Sequence, residues 1–212
     1  MKTNGIKFGV ILGACFLFST VAVSFEIPGV LNPGDFELSL FKRYMGNLEK
    51  GAGSPHQLAS WVKVILAKHY DSDWSKVKYD FSGNQPADNA TTDCTVIYFN
   101  NQAMVSALDK LPTEFTLTNE QVRWLLHEVG HTEQCKKDGS RDEFGRRWIR
   151  DAKSALMRSN AWLDPSDNTM NSMMKEIHDK QAMEKATEDK ALRLMAEKTV
   201  LNELKAHFGP KK

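Results

Sequence analysis

Apolar residues recur three or four positions apart over most of the chain, the spacing that places side chains on one face of a helix. This spacing predicts helices over residues 36–48, 57–69, 104–111, 144–157 and 170–208. Two short segments differ: residues 77–81 alternate apolar and polar side chains, and residues 95–99 are β-branched and aromatic, so both predict strands. Residues 82–92 between them are polar and predict a loop. The pattern predicts an α+β fold with a small β-sheet.

One further helix lies near the centre of the chain, and the sequence marks both of its ends. Thr118 and Gln121 are spaced as a capping box, which predicts that the helix begins near Asn119. Basic residues followed by Gly139 predict that it ends just past Cys135. Its interior is strongly apolar, with Trp124, Leu125, Leu126 and Val129. We therefore expect this helix to be buried.

The same helix carries the motif His-Glu-x-x-His. His127 and His131 are one turn apart, so both imidazoles face the same side and can share one Zn²⁺ ion. Glu128 then stands beside the metal as a general base for water. Gly130 leaves room between the histidines for another backbone, whereas Glu133 occupies a position that is mostly apolar in zinc peptidases. The motif predicts a catalytic zinc site; a surface helix with two unconnected histidines is the alternative.

A catalytic zinc ion takes three protein ligands and a water molecule, so one ligand must come from elsewhere in the chain. The HExxHxxGxxH pattern of metzincins is absent, because Gln134 and Lys137 replace its glycine and its last histidine. Glu184 and Glu188 interrupt an apolar helical stripe, where an acid is unfavourable unless it is paired or coordinating. We predict Glu184 as the third ligand, with Glu188 as the alternative and Asp151 as an outsider. A solvated face of a charged helix is the competing interpretation.

Several polar residues are candidates for supporting roles around the metal. Arg123 and Gln134 lie on the histidine face of the helix. Gln134 is expected to hydrogen-bond a ligand or the substrate, and Arg123 to pair with a carboxylate behind the ligands. Tyr98 and His178 are candidates for stabilising an oxyanion. Residues 95–99 are expected beside the metal helix, as the strand on which an extended substrate would pair.

The first residues have the features of a secretory signal. Lys2 and Lys7 precede an apolar run over residues 8–23, and Ala22-Val23-Ser24 has the pattern of a signal-peptidase site. The expected organisation is a signal peptide (1–24), an N-terminal segment (25–56), a zincin-like domain with its C-terminal helices (57–208) and a tail (209–212). A retained membrane anchor is the alternative, although the run is short for a span. We expect an exported protein, periplasmic or secreted, with no stable membrane span after cleavage.

Cysteine usage and charge agree with export. Cys94 and Cys135 remain once the signal is removed, and we predict a disulfide between them, with a pair of zinc thiolates as the alternative. Cys15 leaves with the signal; a lipoprotein site there is disfavoured because the apolar run continues past it. Removing residues 1–24 takes two of the 28 basic residues and none of the 27 acidic ones, which leaves a net charge of about −1. This balance argues against a nucleic-acid partner.

Four ordered segments carry a resemblance to a known family. They are residues 58–69, Asp-Trp-Ser-Lys-Val-Lys-Tyr at 73–79, Val-Ile-Tyr-Phe at 96–99, and the motif region at 125–134. In this order and spacing the chain resembles the extracellular contractile injection system core domain, a zincin-like peptidase domain. The resemblance implies a zinc-dependent fold with His127 and His131 as ligands and Glu128 as base. It implies no particular substrate, and the downstream segment departs most from the family.

Together these features predict a zincin-like α+β domain with a small sheet, a central metal helix and C-terminal helices. The expected function is zinc-dependent hydrolysis of peptide bonds in a peptide or protein substrate. The alternative is a non-catalytic secreted module that binds zinc and serves in interactions or accompanies a toxin. The Met- and Lys-rich C-terminal helix would suit partner binding in that case.

Overall fold

The computed structural model describes residues 33–85, 87–158 and 180–208. Its elements there are α1 (Pro33–Lys50), β1 (His56–Gln57), α2 (Ser60–Leu66), β2 (Lys78–Phe81), β3 (Ala90–Thr92), β4 (Val96–Phe99), α3 (Gln102–Lys110), α4 (Asn119–Asp138), α5 (Arg141–Arg158), α6 (Ala182–Ala196) and α7 (Thr199–Ala206). The predicted α+β class is confirmed. Among the described residues, no helix combines the length and the apolar character needed to cross a membrane. The predictions for residues 1–24, 170–179 and 209–212 lie outside these ranges.

The sheet is mixed, and its strands lie in the order β1-β2-β4-β3. Strand β4 pairs in parallel with β2 and antiparallel with β3, so β4 is an inner strand and β3 forms one edge. The expectation that residues 95–99 offer an edge to a substrate is therefore wrong, because both sides of β4 are already paired. The loop predicted over residues 82–92 is wrong at its end, where β3 forms. Three residues, two of them threonines, are too few to show a strand pattern.

Two predicted helices are shorter than expected. Residues 56–57 pair with β2 as β1, so α2 covers only the middle of the helix predicted over residues 57–69. The long helix predicted up to residue 208 is divided at Lys198, whose φ of 54° is left-handed. A left-handed residue interrupts the helical hydrogen-bond pattern. The sequence has no Gly or Pro there that would have marked the break.

The central helix α4 has the ends that the sequence predicts. Thr118 Oγ1 accepts a hydrogen bond from the backbone N–H of Gln121 at 3.2 Å, and Gln121 Oε1 accepts one from the N–H of Thr118 at 2.9 Å. At the other end, Gly139 takes a φ of 80°, a left-handed conformation that glycine adopts without strain. The predicted burial of α4 is confirmed, and the helix contacts β3, α5 and α6.

Two apolar cores lie on opposite faces of the sheet. The first joins α2, α3, α4 and α7 to one face, and the second joins α1 and α5 to the other. Side chains alternate between them along β4: Ile97 and Phe99 belong to the first core, whereas Val96 and Tyr98 belong to the second. The second core therefore brings α1, which precedes the sheet in sequence, against α5.

A short turn joins β3 to β4, and a disulfide anchors it to α4. Asp93 Oδ1 accepts hydrogen bonds from the backbone N–H groups of Thr95 at 3.0 Å and Val96 at 2.7 Å. Cys94 follows Asp93 in this turn and has a φ of 84°, a left-handed conformation that is common in tight hairpin turns. Its sulfur is bonded to Cys135, with the two Cα atoms 5.4 Å apart, so the predicted disulfide is confirmed. The bond fixes β3 against the central helix.

Removal of the disulfide in a Cys94→Ser/Cys135→Ser variant should lower the free energy of unfolding by about 4 kcal/mol, because the two cysteines are 41 positions apart. Urea denaturation followed by tryptophan fluorescence measures the effect. Reductant should lower the midpoint of the wild type and leave that of the variant unchanged. A wild-type midpoint that stays the same after complete reduction, verified by thiol counting, would contradict this prediction.

Glu133, the acid at a position expected to be apolar, holds α4 against two other segments. Its carboxylate accepts hydrogen bonds from Lys190 of α6 at 3.0 and 2.9 Å and from the backbone N–H of Asp71 at 3.1 Å. Lys190 also lies 4.1 Å from the centroid of the Tyr70 ring. Burial raises the pKa of Glu133, but these bonds and the charges of Lys190 and Lys137 outweigh it and lower the pKa below 4.5. The acid is thus ionised and paired.

The variant Glu133→Gln should be less stable by about 1.5–3 kcal/mol at neutral pH, because it loses charge-assisted hydrogen bonds. A carboxyl group with a lowered pKa contributes stability above its ordinary value of 4.5 and loses that contribution as the pH falls through the folded-state pKa. The difference in unfolding free energy between wild type and variant should therefore narrow in acid. Urea denaturation in the presence of a chelator, at neutral pH and at about pH 3.5, measures it.

The matched control is Glu114→Gln, which removes an exposed acid between α3 and α4. It should leave stability nearly unchanged at both pH values. If the difference in unfolding free energy between wild type and Glu133→Gln stays constant between neutral and acidic pH, the ionised pair of Glu133 and Lys190 is not the cause of that difference.

Candidate metal centre

Helices α4 and α6 are in close contact at Gly130. A Cβ atom there would lie 2.7 Å from Thr187 Cγ2 and 3.4 Å from Thr187 Cα, so a larger residue would force the helices apart. The prediction that Gly130 admits another backbone is therefore confirmed. Because Glu184 lies about one turn before Thr187 on α6, this contact directs its side chain toward the two histidines.

Three donor atoms converge beside this contact. The Nε2 atoms of His127 and His131 each lie 3.1 Å from Glu184 Oε2. The donor atoms of all three residues lie within 4.8 Å of one another, a separation that one metal ion can span. The residues expose only 2%, 4% and 3% of their surface, respectively. The structure thus brings together the three residues that the sequence analysis selected as ligands.

Gln134 fixes the ring of His131 from the outer side. Its Oε1 lies 3.0 Å from Nδ1 of His131, and its Nε2 donates to the carbonyl of Met183 at 2.8 Å. Because the amide nitrogen is committed to that carbonyl, Oε1 must accept a hydrogen bond from the Nδ1–H of the imidazole. The lone pair of His131 is then on Nε2, which faces Glu184. Gln134 therefore bonds a ligand, one of the two roles predicted for it.

Glu188, the alternative third ligand, lies behind His127 and not among the converging donors. Its Oε2 lies 3.1 Å from Nδ1 of His127, and its Oε1 accepts a short hydrogen bond from Arg123. Burial raises the pKa of Glu188, but the bonds to His127 and Arg123 outweigh it and lower the pKa. A carboxylate in this position orients the imidazole and increases its basicity toward a metal. Arg123 thus pairs with a carboxylate behind the ligands, as the sequence predicts.

The donor set fits a cation. With Nδ1 protons directed outward, two Nε2 lone pairs face one carboxylate oxygen, an arrangement that is unfavourable unless a positive charge lies among them. Without a metal ion, a proton can supply that charge. Burial lowers the pKa of His127, but its hydrogen bonds to Glu184 and Glu188 and the charge of Glu128 raise it to about 10. A metal ion would replace this proton, and the buried cluster could therefore bind one.

Glu128 lies beside the cluster at a small cavity. The cavity measures about 20 Å³, which is room for about one water molecule. Its walls include Glu128, His131 and Glu184, together with Thr92 of β3 and with Phe144 and Trp148 of α5. Thr92 Oγ1 donates a hydrogen bond of 2.7 Å to Glu128 Oε2. The carboxylate is therefore held in one orientation next to a water-sized space and the three donors.

Two aromatic residues at the site were not found by the sequence analysis. Trp148 Nε1 donates to Glu184 Oε1 at 3.3 Å. Tyr44 of α1 stacks on Trp148, with ring centroids 5.7 Å apart and planes inclined by 12°. Tyr44 is buried, and its hydroxyl lies 3.1 Å from Oγ1 of Thr91 in β3. In the sequence both aromatic residues are indistinguishable from the apolar face of an ordinary helix.

Two further candidates, Tyr98 and Asp151, are not among the residues that line the cavity. Tyr98 packs in the second core. Burial raises its pKa most, and the charge of Asp93 raises the pKa further. Asp151 Oδ2 accepts a hydrogen bond of 2.8 Å from the backbone N–H of Met183 at the start of α6. His178 lies outside the described residues.

Comparison of the chain with protein-family models, with curated proteins and with solved structures finds no match. The resemblance to the extracellular contractile injection system core domain therefore stays a prediction based on four sequence segments. The zincin-like details of the fold likewise stay a prediction.

The wild-type protein should bind one divalent metal ion at this cluster, and Glu184→Ala should abolish that binding because it removes one of three donors. Glu188→Gln should weaken the affinity by about 10–100-fold, because it removes the charged acceptor behind His127. Titration with Zn²⁺ in competition with a chromophoric chelator measures both effects.

Glu114→Gln again serves as the control and should bind metal as the wild type does. If Glu184→Ala still binds one ion per chain, Glu184 is not one of the metal donors. A loss in Glu188→Gln as complete as that in Glu184→Ala would identify Glu188 as a ligand in its own right.

Proposed function

We propose that this protein is an exported zinc-dependent peptidase. The observation that carries the proposal is the position of Glu128 beside His127, His131 and Glu184 at a water-sized cavity. Two imidazoles and one carboxylate are a donor set of catalytic zinc sites, which use three protein ligands and keep one position for water. The Cys94–Cys135 disulfide is compatible with export.

The proposed chemistry divides between the metal and one carboxylate. His127, His131 and Glu184 would hold Zn²⁺, which when bound supplies a Lewis acid and lowers the pKa of a water molecule toward about 7. Glu128 takes the proton from the attacking water and delivers it to the leaving amine. Because Thr92 donates to Oε2 of Glu128, we assign the proton-accepting role to the other carboxylate oxygen, Oε1.

The edge strand β3 is the element best suited to hold an extended peptide. The backbone N–H of Asn100 donates to Asn89 O at 2.8 Å, and that of Asp93 donates to Val96 O at 3.0 Å. Bonding partners alternate along an antiparallel ladder, so the backbone groups of Ala90 and Thr92 point away from β4. A peptide added as a further strand at this edge would place its carbonyl groups near Glu128. Because all three residues of β3 are buried and the cavity is small, this wall of the cavity would have to open for such a peptide to bind.

The burial of all three donor residues also favours a second candidate, a secreted metal-binding module without catalysis. The binding energy of a structural zinc ion contributes directly to folding. In this case the ion would serve to hold α4 and α6 together. The two candidates differ at Glu128, which lies at the cavity without belonging to the donor set and has no role in a structural site.

Glu128→Gln should bind Zn²⁺ with wild-type stoichiometry and reduce peptide hydrolysis by at least about 100-fold, because the amide cannot accept the proton of water. The measurements are zinc content after dialysis and the cleavage of fluorophore-labelled denatured casein and of a mixed peptide library. Cleavage by the wild type should require metal and stop with chelator.

Glu120→Gln is the control variant, since it removes an exposed acid near the start of the same helix. It should retain both metal and activity. Wild-type protein that holds one zinc ion but cleaves neither casein nor the library would favour the binding module. Full activity in Glu128→Gln would exclude the proposed general base.

A further inference from the structure

We infer that Trp148 is a positioning residue for the third ligand: its indole N–H holds one oxygen of Glu184, so that the other oxygen alone faces the histidines. The inference rests on the proposed metal centre. It assigns a role to α5, a helix in which the sequence marks no ligand other than the outsider Asp151.

The two oxygens of Glu184 have different surroundings. Oε1 accepts the hydrogen bond from Trp148 Nε1 at 3.3 Å, whereas Oε2 lies 3.1 Å from Nε2 of both His127 and His131. An indole N–H can donate but has no lone pair with which to bind a metal. Trp148 therefore occupies one carboxylate oxygen without adding a fourth protein donor. A carboxylate held in this way offers one oxygen to a cation, where an unrestrained carboxylate can offer two.

The indole is itself held in place by rigid elements. Trp148 exposes only 7% of its surface and stacks on Tyr44 of α1. Thr91 Oγ1 donates to Gln85 Oε1 at 3.1 Å, so the hydroxyl of Tyr44, 3.1 Å from Thr91 Oγ1, is the donor in that contact. Gln85 in turn donates to the carbonyl of Tyr98 in β4 at 2.9 Å. The orientation of the indole N–H is thus determined by the sheet and α1, which supports precise placement of the ligand.

The consequence is a limit on the number of protein donors. With Oε1 of Glu184 held by Trp148, the cluster has three donors, the number that leaves a position for water in a catalytic zinc site. Without the indole N–H, Oε1 would be able to turn toward the ion as a fourth donor. By holding Oε1, Trp148 would therefore influence both the affinity of the site for the metal ion and the coordination number of that ion.

The test compares Trp148→Phe with the matched control Trp124→Phe. Both replace a buried tryptophan, but Trp124 packs edge-to-face against Phe99 in the first core, with centroids 5.2 Å apart. Trp148→Phe keeps an aromatic ring that can stack on Tyr44 but lacks the indole N–H that donates to Glu184. We expect the Kd for Zn²⁺ to rise by about 10–100-fold in Trp148→Phe and to stay at the wild-type value in Trp124→Phe.

The absorption spectrum of the Co²⁺-loaded protein tests the coordination number separately, because Co²⁺ absorbs visible light more weakly when more donors surround it. Trp148→Phe should show weaker visible bands than the wild type, and Trp124→Phe should not. A residue that only stabilises the fold would lower the affinity without changing the bands. Unchanged affinity and unchanged bands in Trp148→Phe overturn the inference and leave the metal centre intact, whereas a wild type that binds no metal overturns both.

A second variant covers the case in which Trp148→Phe does not fold, as judged by circular dichroism. Tyr44→Leu removes the stacked ring and leaves Trp148 and Glu184 in the chain. The Kd for Zn²⁺ should rise above the wild-type value, and the Co²⁺ bands should be weaker than those of the wild type. Wild-type affinity and bands in a folded Tyr44→Leu protein would count against the inference.

Discussion

The close contact between α4 and α6 at Gly130 is the constraint on which the rest of the structure depends. Because Gly130 has no side chain, Thr187 packs against the backbone of α4. Glu184, about one turn earlier on α6, then reaches the Nε2 atoms of His127 and His131. A larger residue at position 130 would separate the helices and with them the donors. One missing side chain thus decides whether two histidines on a helix become part of a three-donor cluster.

The charges that this contact buries are matched at its ends. Arg123 pairs with Glu188 behind one histidine, and Lys190 pairs with Glu133 further along α4. Buried carboxylates without such partners would strongly destabilise the fold. The centre of the contact between α4 and α6 differs from these ends, because Glu184 there faces two imidazoles whose Nδ1 atoms already have acceptors. The interface therefore takes its last positive charge from a proton shared with the histidines or from a metal ion.

The sequence predicts the donors better than their surroundings, for a physical reason. His127 and His131 follow from the geometry of one helix, and Glu184 follows from an acid on an otherwise apolar stripe. Trp148 and Thr92 belong to segments that reach the site only through tertiary packing. In the sequence, the first is an ordinary core residue of an amphipathic helix. The second lies in a strand of three residues, which is too short to show alternation. The sequences of β3 and β4 also do not show which of these two strands forms the edge of the sheet.

Strand β3 connects these unpredicted features to the chemistry. Its residues form part of the cavity wall and the edge of the sheet, and its Thr92 orients Glu128. Movement of β3 away from α4 would therefore open the cavity and, at the same time, break the hydrogen bond between Thr92 and Glu128. The disulfide between Cys94 and Cys135 restrains the end of the strand next to the turn. Under the proposed peptidase function, Thr92 would orient Glu128 as the base only while β3 lies against α4.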